Sequence, residues 1–391
     1  MRMGDLRQKM LLGKAAVRAR SLFGRDGALL SRLFEGKRLR RQLAVRNREI
    51  AALREELAQA RGPAARRMPP VSPDVFFIVG HQKSGTTWLM KMLDAHPEIL
   101  CRGEGRPFGR NFRQEHKVGK GGYPPVSLYN AIASSRGLRL WIQRSVWTKR
   151  DRLDEHLNNL TRLAIEYFLT QELMESGKRM VGDKTVLLTP NIVKEMATVY
   201  PEAKVIHIIR DGRDVAVSTM HHIWNQAEDR GGHSSITPAQ REKREAYWKD
   251  PEHLIKHGGG IFPEGWLSNY AAQWKKKVGK TVEDGPALLG ENYAEVRYED
   301  LLVRPHEELA RLLRFLGADA GEERVRGCVE AASFERLSRG RRRGEEAPDF
   351  FRKGVAGDWK NVFTERNRQE FKEAAGDLLI RLGYERDENW Q

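Results

Sequence analysis

The chain has 391 residues, enough for one large α/β core and an extension, and a formal net charge of +16. Residues 1–70 hold 18 Lys/Arg and 6 Asp/Glu, a net +12, so the basic excess belongs mostly to the N-terminal segment. Two cysteines and no apolar run of about 18 residues argue against a disulfide framework, a zinc site and a membrane span. We therefore expect a cytoplasmic protein without a signal peptide.

The N-terminal segment predicts a basic helical arm over residues 1–68. Between Leu39 and Leu57, residues at alternating spacings of four and three are apolar except for Arg46, which is the pattern of a short coiled-coil seam with one polar residue. Gly62-Pro63 ends this pattern, and a Pro-rich linker follows. Three interpretations stay open: a solvated helix, self-association into a homo-oligomer, and peripheral contact with an anionic membrane.

The next segment predicts a buried strand over Phe76–Val79, a polar loop and a helix over Thr87–Leu93. In this layout, backbone N–H groups and a helix N-terminus converge on an anion. Gly80 and Gly85 have the spacing of a P-loop, but the lysine expected after Gly85 lies inside the loop, at Lys83. We interpret the loop as a site for a phosphate-type group other than the β/γ end of ATP.

Strand and helix patterns alternate through the rest of the chain. A helix is predicted over Leu153–Glu175, a further segment over Arg179–Thr185, and a strand over Lys204–Ile209 that leads into another helix. This alternation predicts an α/β fold of three layers with a central parallel sheet, similar to P-loop NTPases, in a domain spanning 71–391. The polar stretch from Asn225 to Gly265 is interpreted as an insertion near the site, a lid or an acceptor-binding element.

Three separated motifs carry groups that suit phosphate, and the aromatic residues Trp88, Tyr298 and Phe334 form a fourth set. The loop Lys83–Trp88 offers amides and hydroxyls to one phosphate, and Arg210 with Ser218 offers a guanidinium fork and a hydroxyl to another. Phe350–Asn361 contains Arg-Lys-Gly followed by Gly-Asp-Trp, where glycine permits a close backbone approach. The neighbouring run Arg339–Arg343 is interpreted as a flexible basic loop.

These motifs, in this order, resemble sulfotransferases that use 3′-phosphoadenosine 5′-phosphosulfate (PAPS), over Val75 to Trp390. The resemblance implies a sulfotransferase domain, transfer of a sulfuryl group to a hydroxyl or amine, and adenosine 3′,5′-bisphosphate as product. It implies aromatic contacts to adenine and no metal. The implied cofactor-binding residues are Lys83, Ser84, Gly85, Thr86, Thr87, Trp88, Arg210, Ser218, Tyr298, Phe334, Arg352, Lys353 and Gly354.

The general base is predicted from a second branch of the family. The cytosolic branch uses a histidine in a Lys-Thr-His run, but Val186 stands at that position and cannot accept a proton. The stretch from Met92 to Arg106 resembles tyrosylprotein sulfotransferases, whose base is a glutamate eight residues after a histidine. Counting from His96 gives Glu104. Partial burial is expected to raise the pKa of Glu104.

Three basic residues complete the predicted catalytic group. Lys83 and Lys184 are expected to stabilise charge on the transferring group, and Arg106 is expected to contact the acceptor. The acceptor stays open among carbohydrate, lipid, small molecule and peptide.

Two other classes of protein are alternatives to a sulfotransferase. A P-loop kinase is disfavoured because no lysine follows Gly85 and no clear aspartate ends an apolar strand to hold Mg²⁺. A non-catalytic protein that binds nucleic acid or anionic lipid would depend on the basic arm. We expect no nucleic-acid partner.

Overall fold

The computed structural model describes residues 74–109, 126–229, 236–257 and 260–390. Its strands are β1, Asp74–Gly80; β2, Ile99–Gly103; β3, Met180–Val186; β4, Lys204–Ile209; and β5, Tyr293–Arg297. They form one parallel sheet in the order β2-β3-β1-β4-β5.

The sheet is accompanied by α-helices and short 3₁₀ turns. The α-helices are α1, Thr86–Asp94; α2, Leu128–Ala133; α3, Arg136–Arg144; α4, Leu153–Ser176; α5, Ile192–Val199; α6, Gly212–Asp229; α7, Pro238–Lys249; α8, Pro251–Lys256; α9, Trp266–Leu289; α10, Tyr298–Val303; α11, Pro305–Leu316; α12, Glu322–Ala331; α13, Phe334–Leu337; and α14, Glu365–Arg381.

The central strand β1 is buried on both faces, which explains its unbroken apolar sequence. Phe77 and Val79 belong to a core shared with α5, α6, α9 and α14. Phe76 and Ile78 point into a second core shared with α1, α10, α11 and α12. Each such side chain contributes about 1.5–3 kcal/mol when fully buried. The predicted α/β fold with a central parallel sheet between helical layers is confirmed.

Element positions follow the sequence prediction closely. β4 has the predicted bounds, whereas β1 and α1 extend the predicted segments by one or two residues at each end. The stretch Asn225–Gly265 contains the end of α6 together with α7 and α8, and its role as a lid stays a prediction. The predicted arm, residues 1–68, lies outside the described residues. In the part of the chain that is described, no helix is long and apolar enough to cross a membrane.

Candidate active site

The loop after β1 has a backbone shaped for close approach. Lys83 and Gly85 have φ angles of 66° and 95°, so the chain turns through the left-handed region twice within three residues. A Cβ on Gly85 would lie 2.6 Å from the ring of Tyr298, which only glycine avoids. No side chain caps the start of α1. The first amides of that helix are therefore available to an anion.

A partly open cavity lies beside this loop. Twelve of the thirteen predicted cofactor-binding residues line it; the exception is Ser84, which is buried within the loop itself. The fold thus brings together segments that are more than 250 residues apart in sequence. The lining residues are Lys83, Gly85, Thr86, Thr87, Trp88, Arg210, Ser218, Tyr298, Phe334, Leu337, Arg343, Phe350, Phe351, Arg352, Lys353, Gly354 and Val355.

Arg210, at the carboxyl end of β4, ties three parts of the cavity together. Its guanidinium donates to the backbone oxygens of Lys83 at 3.1 Å and Val355 at 3.0 Å, and lies 4.3 Å from the ring centre of Tyr298. Its Nε is buried and has no hydrogen-bond partner within the described residues. A buried donor without a partner is costly, so an anionic ligand in the cavity would satisfy it.

The C-terminal loop holds its cations in an ion-pair cluster, which we call the clamp cluster: Glu346, Arg352, Lys353 and Asp358. Lys353 Nζ lies 3.0 Å from a carboxylate oxygen of each acid, and Arg352 donates to both. Burial opposes ionisation of Asp358, but Arg352 and Lys353 outweigh it and lower the pKa of Asp358 to about 2. Arg352 and Lys353 are therefore neutralised by protein carboxylates.

One buried carboxylate fixes this loop against the rest of the site. Asp214, in the first turn of α6, accepts from the amides of Gly357 at 2.7 Å and Trp359 at 2.9 Å. Burial raises the pKa of Asp214, while Arg210 opposes that rise. Gly354 has a φ of 66° and no room for a Cβ, which would lie 2.5 Å from the ring of Phe334.

Aromatic rings form the wall where adenine contacts are predicted. Trp88 meets Tyr298 edge-on at 5.6 Å between ring centres, and its Nε1 donates to Ala332 O at 2.9 Å. The guanidinium of Arg343 lies 5.0 Å from the ring centre of Trp88 and 5.3 Å from that of Phe334. Flat apolar surfaces with a cation above them suit a purine ring.

The interpretation of the Arg339–Arg343 run as a flexible basic loop is wrong. Arg343 donates to Gly354 O at 2.7 Å, and Arg341 donates to Phe351 O at 2.6 Å and Arg352 O at 2.8 Å. These bonds satisfy backbone oxygens of the Arg-Lys-Gly loop, so the run shapes the cavity. No local sequence pattern marks this role, because the rings and backbone oxygens that the run contacts belong to other segments.

The predicted base lies at the end of β2, beside Lys184. Parallel pairing places Gly103 opposite Lys184, so the residue that follows, Glu104, meets the lysine. Lys184 Nζ lies 2.5 Å from Glu104 Oε1, and Arg106 donates to Glu104 Oε2 at 2.8 Å. Lys184 Nζ also lies 3.5 Å from Thr87 Oγ1. Because Thr87 lines the cavity, Lys184 connects Glu104 to the cavity.

The prediction that the pKa of Glu104 is raised is wrong. Burial does favour the neutral acid, but hydrogen bonds from Lys184 and Arg106 outweigh burial and lower the pKa of Glu104. Glu104 is therefore a carboxylate at neutral pH, paired with two cations. Asp183 supports it: this buried acid accepts from Gly105 N at 2.8 Å and so holds the loop in place.

Lys83 differs from Lys184, Arg352 and Lys353 because it makes no ion pair with a described residue. Its Nζ lies 4.1 Å from the ring centre of Phe350. Burial, helped by Arg210, Arg352 and Lys184, lowers the pKa of Lys83 to about 8. The loop also contains His81, whose pKa is lowered to about 4 by burial and by Lys277.

A metal site would need acids, histidines or cysteines of the described ranges to lie close together. No group of three or more such side chains is arranged to hold a metal ion there.

Three comparisons relate the chain to known proteins. The family model described as "Sulfotransferase domain" matches residues 73–383. Sulfotransferase 1B1 of Canis lupus familiaris is 28% identical over 324 residues, which cover 78% of this chain and 86% of the relative. Sulfotransferase 1 family member D1 of Rattus norvegicus is 25% identical over 312 residues, covering 77% and 82%. The crystal structure of mouse sulfotransferase SULT7A1 complexed with PAP is 18% identical with a TM-score of 0.40, covering 80% and 86%.

Proposed function

The chain belongs to the sulfotransferase family and is an enzyme that uses PAPS, and we propose that Glu104 is the general base of its sulfuryl transfer. One observation carries the assignment of the site: the predicted cofactor residues converge on one cavity, and Lys184 links that cavity to Glu104. The proposed acceptor is a hydroxyl or an amine.

The proposed step is an in-line displacement at sulfur. Glu104 takes the proton of the acceptor O–H or N–H, and the acceptor atom forms a bond to sulfur. The bond between sulfur and the bridging oxygen breaks, and its electron pair leaves with adenosine 3′,5′-bisphosphate. Protons and charges balance because Glu104 becomes neutral as the leaving phosphate gains one negative charge.

The cations are proposed to stabilise charge on different groups during the transfer. Lys83 and the amides at the start of α1 stabilise charge that develops on the bridging oxygen. Lys184 lies between the proposed base and the phosphate-binding loop, since it contacts the carboxylate of Glu104 and the hydroxyl of Thr87. As the proton moves to Glu104, Lys184 loses its anionic partner and is free to turn to the sulfuryl oxygens.

The other end of the nucleotide is proposed to lie against Arg210, Ser218 and the clamp cluster. The orphaned Nε of Arg210 fits a phosphate oxygen. To bind a phosphate, Arg352 and Lys353 must either release their carboxylate partners or contact carboxylate and phosphate oxygens at the same time. The rings of Trp88 and Phe334 suit adenine, and Arg106 is proposed to orient the acceptor.

The site fits several acceptor classes. A single carboxylate with two cationic neighbours can deprotonate a hydroxyl or amine of a carbohydrate, a lipid, a small molecule or a peptide alike. Binding of adenosine 3′,5′-bisphosphate therefore tests the site, and product identification tests the acceptor.

Calorimetry with adenosine 3′,5′-bisphosphate is the first experiment. We expect heat of association without added Mg²⁺, and no turnover of ATP with Mg²⁺. Absence of nucleotide binding would refute the cavity assignment, and ATP turnover would favour a kinase instead. Incubation with ³⁵S-labelled PAPS and a cell extract then identifies the acceptor by its label.

A further inference from the structure

An exposed apolar patch is formed by α3 and the turn after it. Leu140, Trp141, Val146 and Trp147 have exposed fractions of 37%, 58%, 91% and 87%. We call these four residues the tryptophan face. Single exposed apolar residues are ordinary, but four within eight positions, two of them tryptophan, are an unusual concentration of exposed apolar side chains.

The tryptophan face is surrounded by positive charge. Residues 136–152 contain six Lys/Arg and one Asp. Arg139 and Arg152 lie 3.8 Å from acids of α4. Arg136, Arg144 and Lys149 are exposed and have no ion-pair partner in the described ranges. The face therefore combines apolar contact area with uncompensated cations.

The tryptophan face lies toward the edge of the sheet that carries the site. α4 packs on β3 and ends three residues before that strand begins, so its last turn lies at the amino end of the strand. The 24 residues of α4 span roughly 36 Å at 1.5 Å per residue. The start of α4, six residues after Trp147, therefore lies toward the carboxyl ends of the strands, where Glu104 and Lys184 are.

We propose that the tryptophan face docks on the surface of an anionic membrane. Tryptophan favours the boundary between headgroups and acyl chains, and lysine and arginine favour anionic headgroups. The aliphatic Leu140 and Val146 suit acyl chains rather than stacked nucleic-acid bases. Docking would hold the carboxyl edge of the sheet beside the lipid headgroups. The proposal is independent of the reaction proposed above.

Charge disfavours two other occupants. A second copy of this face would bring two basic surfaces together, which costs free energy. Residues 1–70 carry a net +12, so the same repulsion applies to them. An anionic lipid surface attracts both the face and that segment.

A probe on the face itself tests the proposal in the full-length chain. The two native cysteines, Cys101 and Cys328, are buried, so a cysteine introduced by Val146→Cys takes an environment-sensitive fluorophore selectively. Val303→Cys, at a site 78% exposed, is the matched control. The vesicles are phosphatidylcholine with or without phosphatidylserine.

We expect a blue shift of the probe at position 146 with phosphatidylserine vesicles, and no shift at position 303. Sedimentation with vesicles while the probe at 146 stays in water would overturn the proposal and assign binding to another segment. Absence of binding would overturn it as well. A shift that follows protein concentration without vesicles would instead indicate self-association.

Charge removal provides the second measurement. Arg144→Gln with Lys149→Gln should weaken the probe's response to anionic vesicles about fivefold for each residue removed. Arg314→Gln with Arg326→Gln, which removes two exposed arginines from α11 and α12, is the matched control and should leave the response unchanged. Equal loss in both double variants would overturn the proposal, since net charge alone would then explain binding.

Discussion

The two ends of the cavity hold their cations in opposite ways. In the clamp cluster, Arg352 and Lys353 share two carboxylates and are electrically balanced before any ligand arrives. Lys83 is buried against an aromatic ring without an acid, and its pKa is lowered to about 8. The balanced end is stable without ligand, whereas the unbalanced end gains most from an anion.

The largest expected effect is at the unbalanced end. Lys83→Ala removes the cation proposed to meet the bridging oxygen, so we expect kcat/KM for sulfuryl transfer to fall roughly 10³-fold. Lys91→Ala, on the exposed side of α1, is the control and should leave kcat/KM unchanged. Near-normal transfer by Lys83→Ala would refute the role of this loop.

Glu104→Gln separates chemistry from nucleotide binding. The amide keeps the shape of the side chain but accepts no proton, so we expect kcat to fall roughly 10²-fold or more. The Kd for adenosine 3′,5′-bisphosphate, measured by calorimetry, should stay within about twofold. Glu172→Gln, an exposed acid paired with Arg102, is the matched control. Parallel loss of binding and turnover would make Glu104 a structural residue.

Arg343→Ala tests the aromatic wall between the two ends. Loss of the guanidinium above Trp88 and Phe334 should weaken nucleotide binding about tenfold. The neighbouring exposed residue provides the control, and Arg342→Ala should leave the Kd unchanged. The same Kd for both variants would refute a contact between Arg343 and the nucleotide.

The lowered pKa of Lys83 predicts a pH dependence of binding. The unfolded chain keeps this proton up to a pKa of about 10.5, so raising the pH through 8 stabilises the ligand-free fold. An anionic ligand favours protonated Lys83, so affinity should fall about threefold between pH 7.5 and 8.5 as that proton is lost. Lys83→Arg stays charged and should abolish this step. An unchanged step in that variant would assign the titration to another group.

The smallest expected effect is at the balanced end. Glu346→Gln leaves Arg352 and Lys353 with one carboxylate fewer, so nucleotide affinity should rise about twofold as repulsion falls. The melting temperature of the ligand-free protein should decrease because an ion pair is lost. Weaker nucleotide binding would instead mean that Glu346 positions the clamp cluster for the phosphate.

Local sequence patterns predicted most of the residues that line the cavity. The loop from Gly80 to Trp88 lies between a strand and a helix that periodicity identifies, so its amides and Lys83 could be placed from sequence. Arg210 follows a strand of predicted bounds. The contacts of Arg343 could not be predicted, because its side chain meets Trp88 across 255 positions of sequence.

The sequence by itself determined the parallel sheet, the anion-binding loop and the residues that gather at the carboxyl ends of the strands. These follow from periodicity and backbone geometry, which are local properties of the chain. Only the tertiary structure decided the charge state of the site. The pairing of Gly103 with Lys184 brings a lysine onto Glu104 and lowers its pKa, and the absence of any described acid beside Lys83 leaves that lysine unbalanced. Electrostatic free energies depend on distance and burial, and these are set by which distant segments pack together.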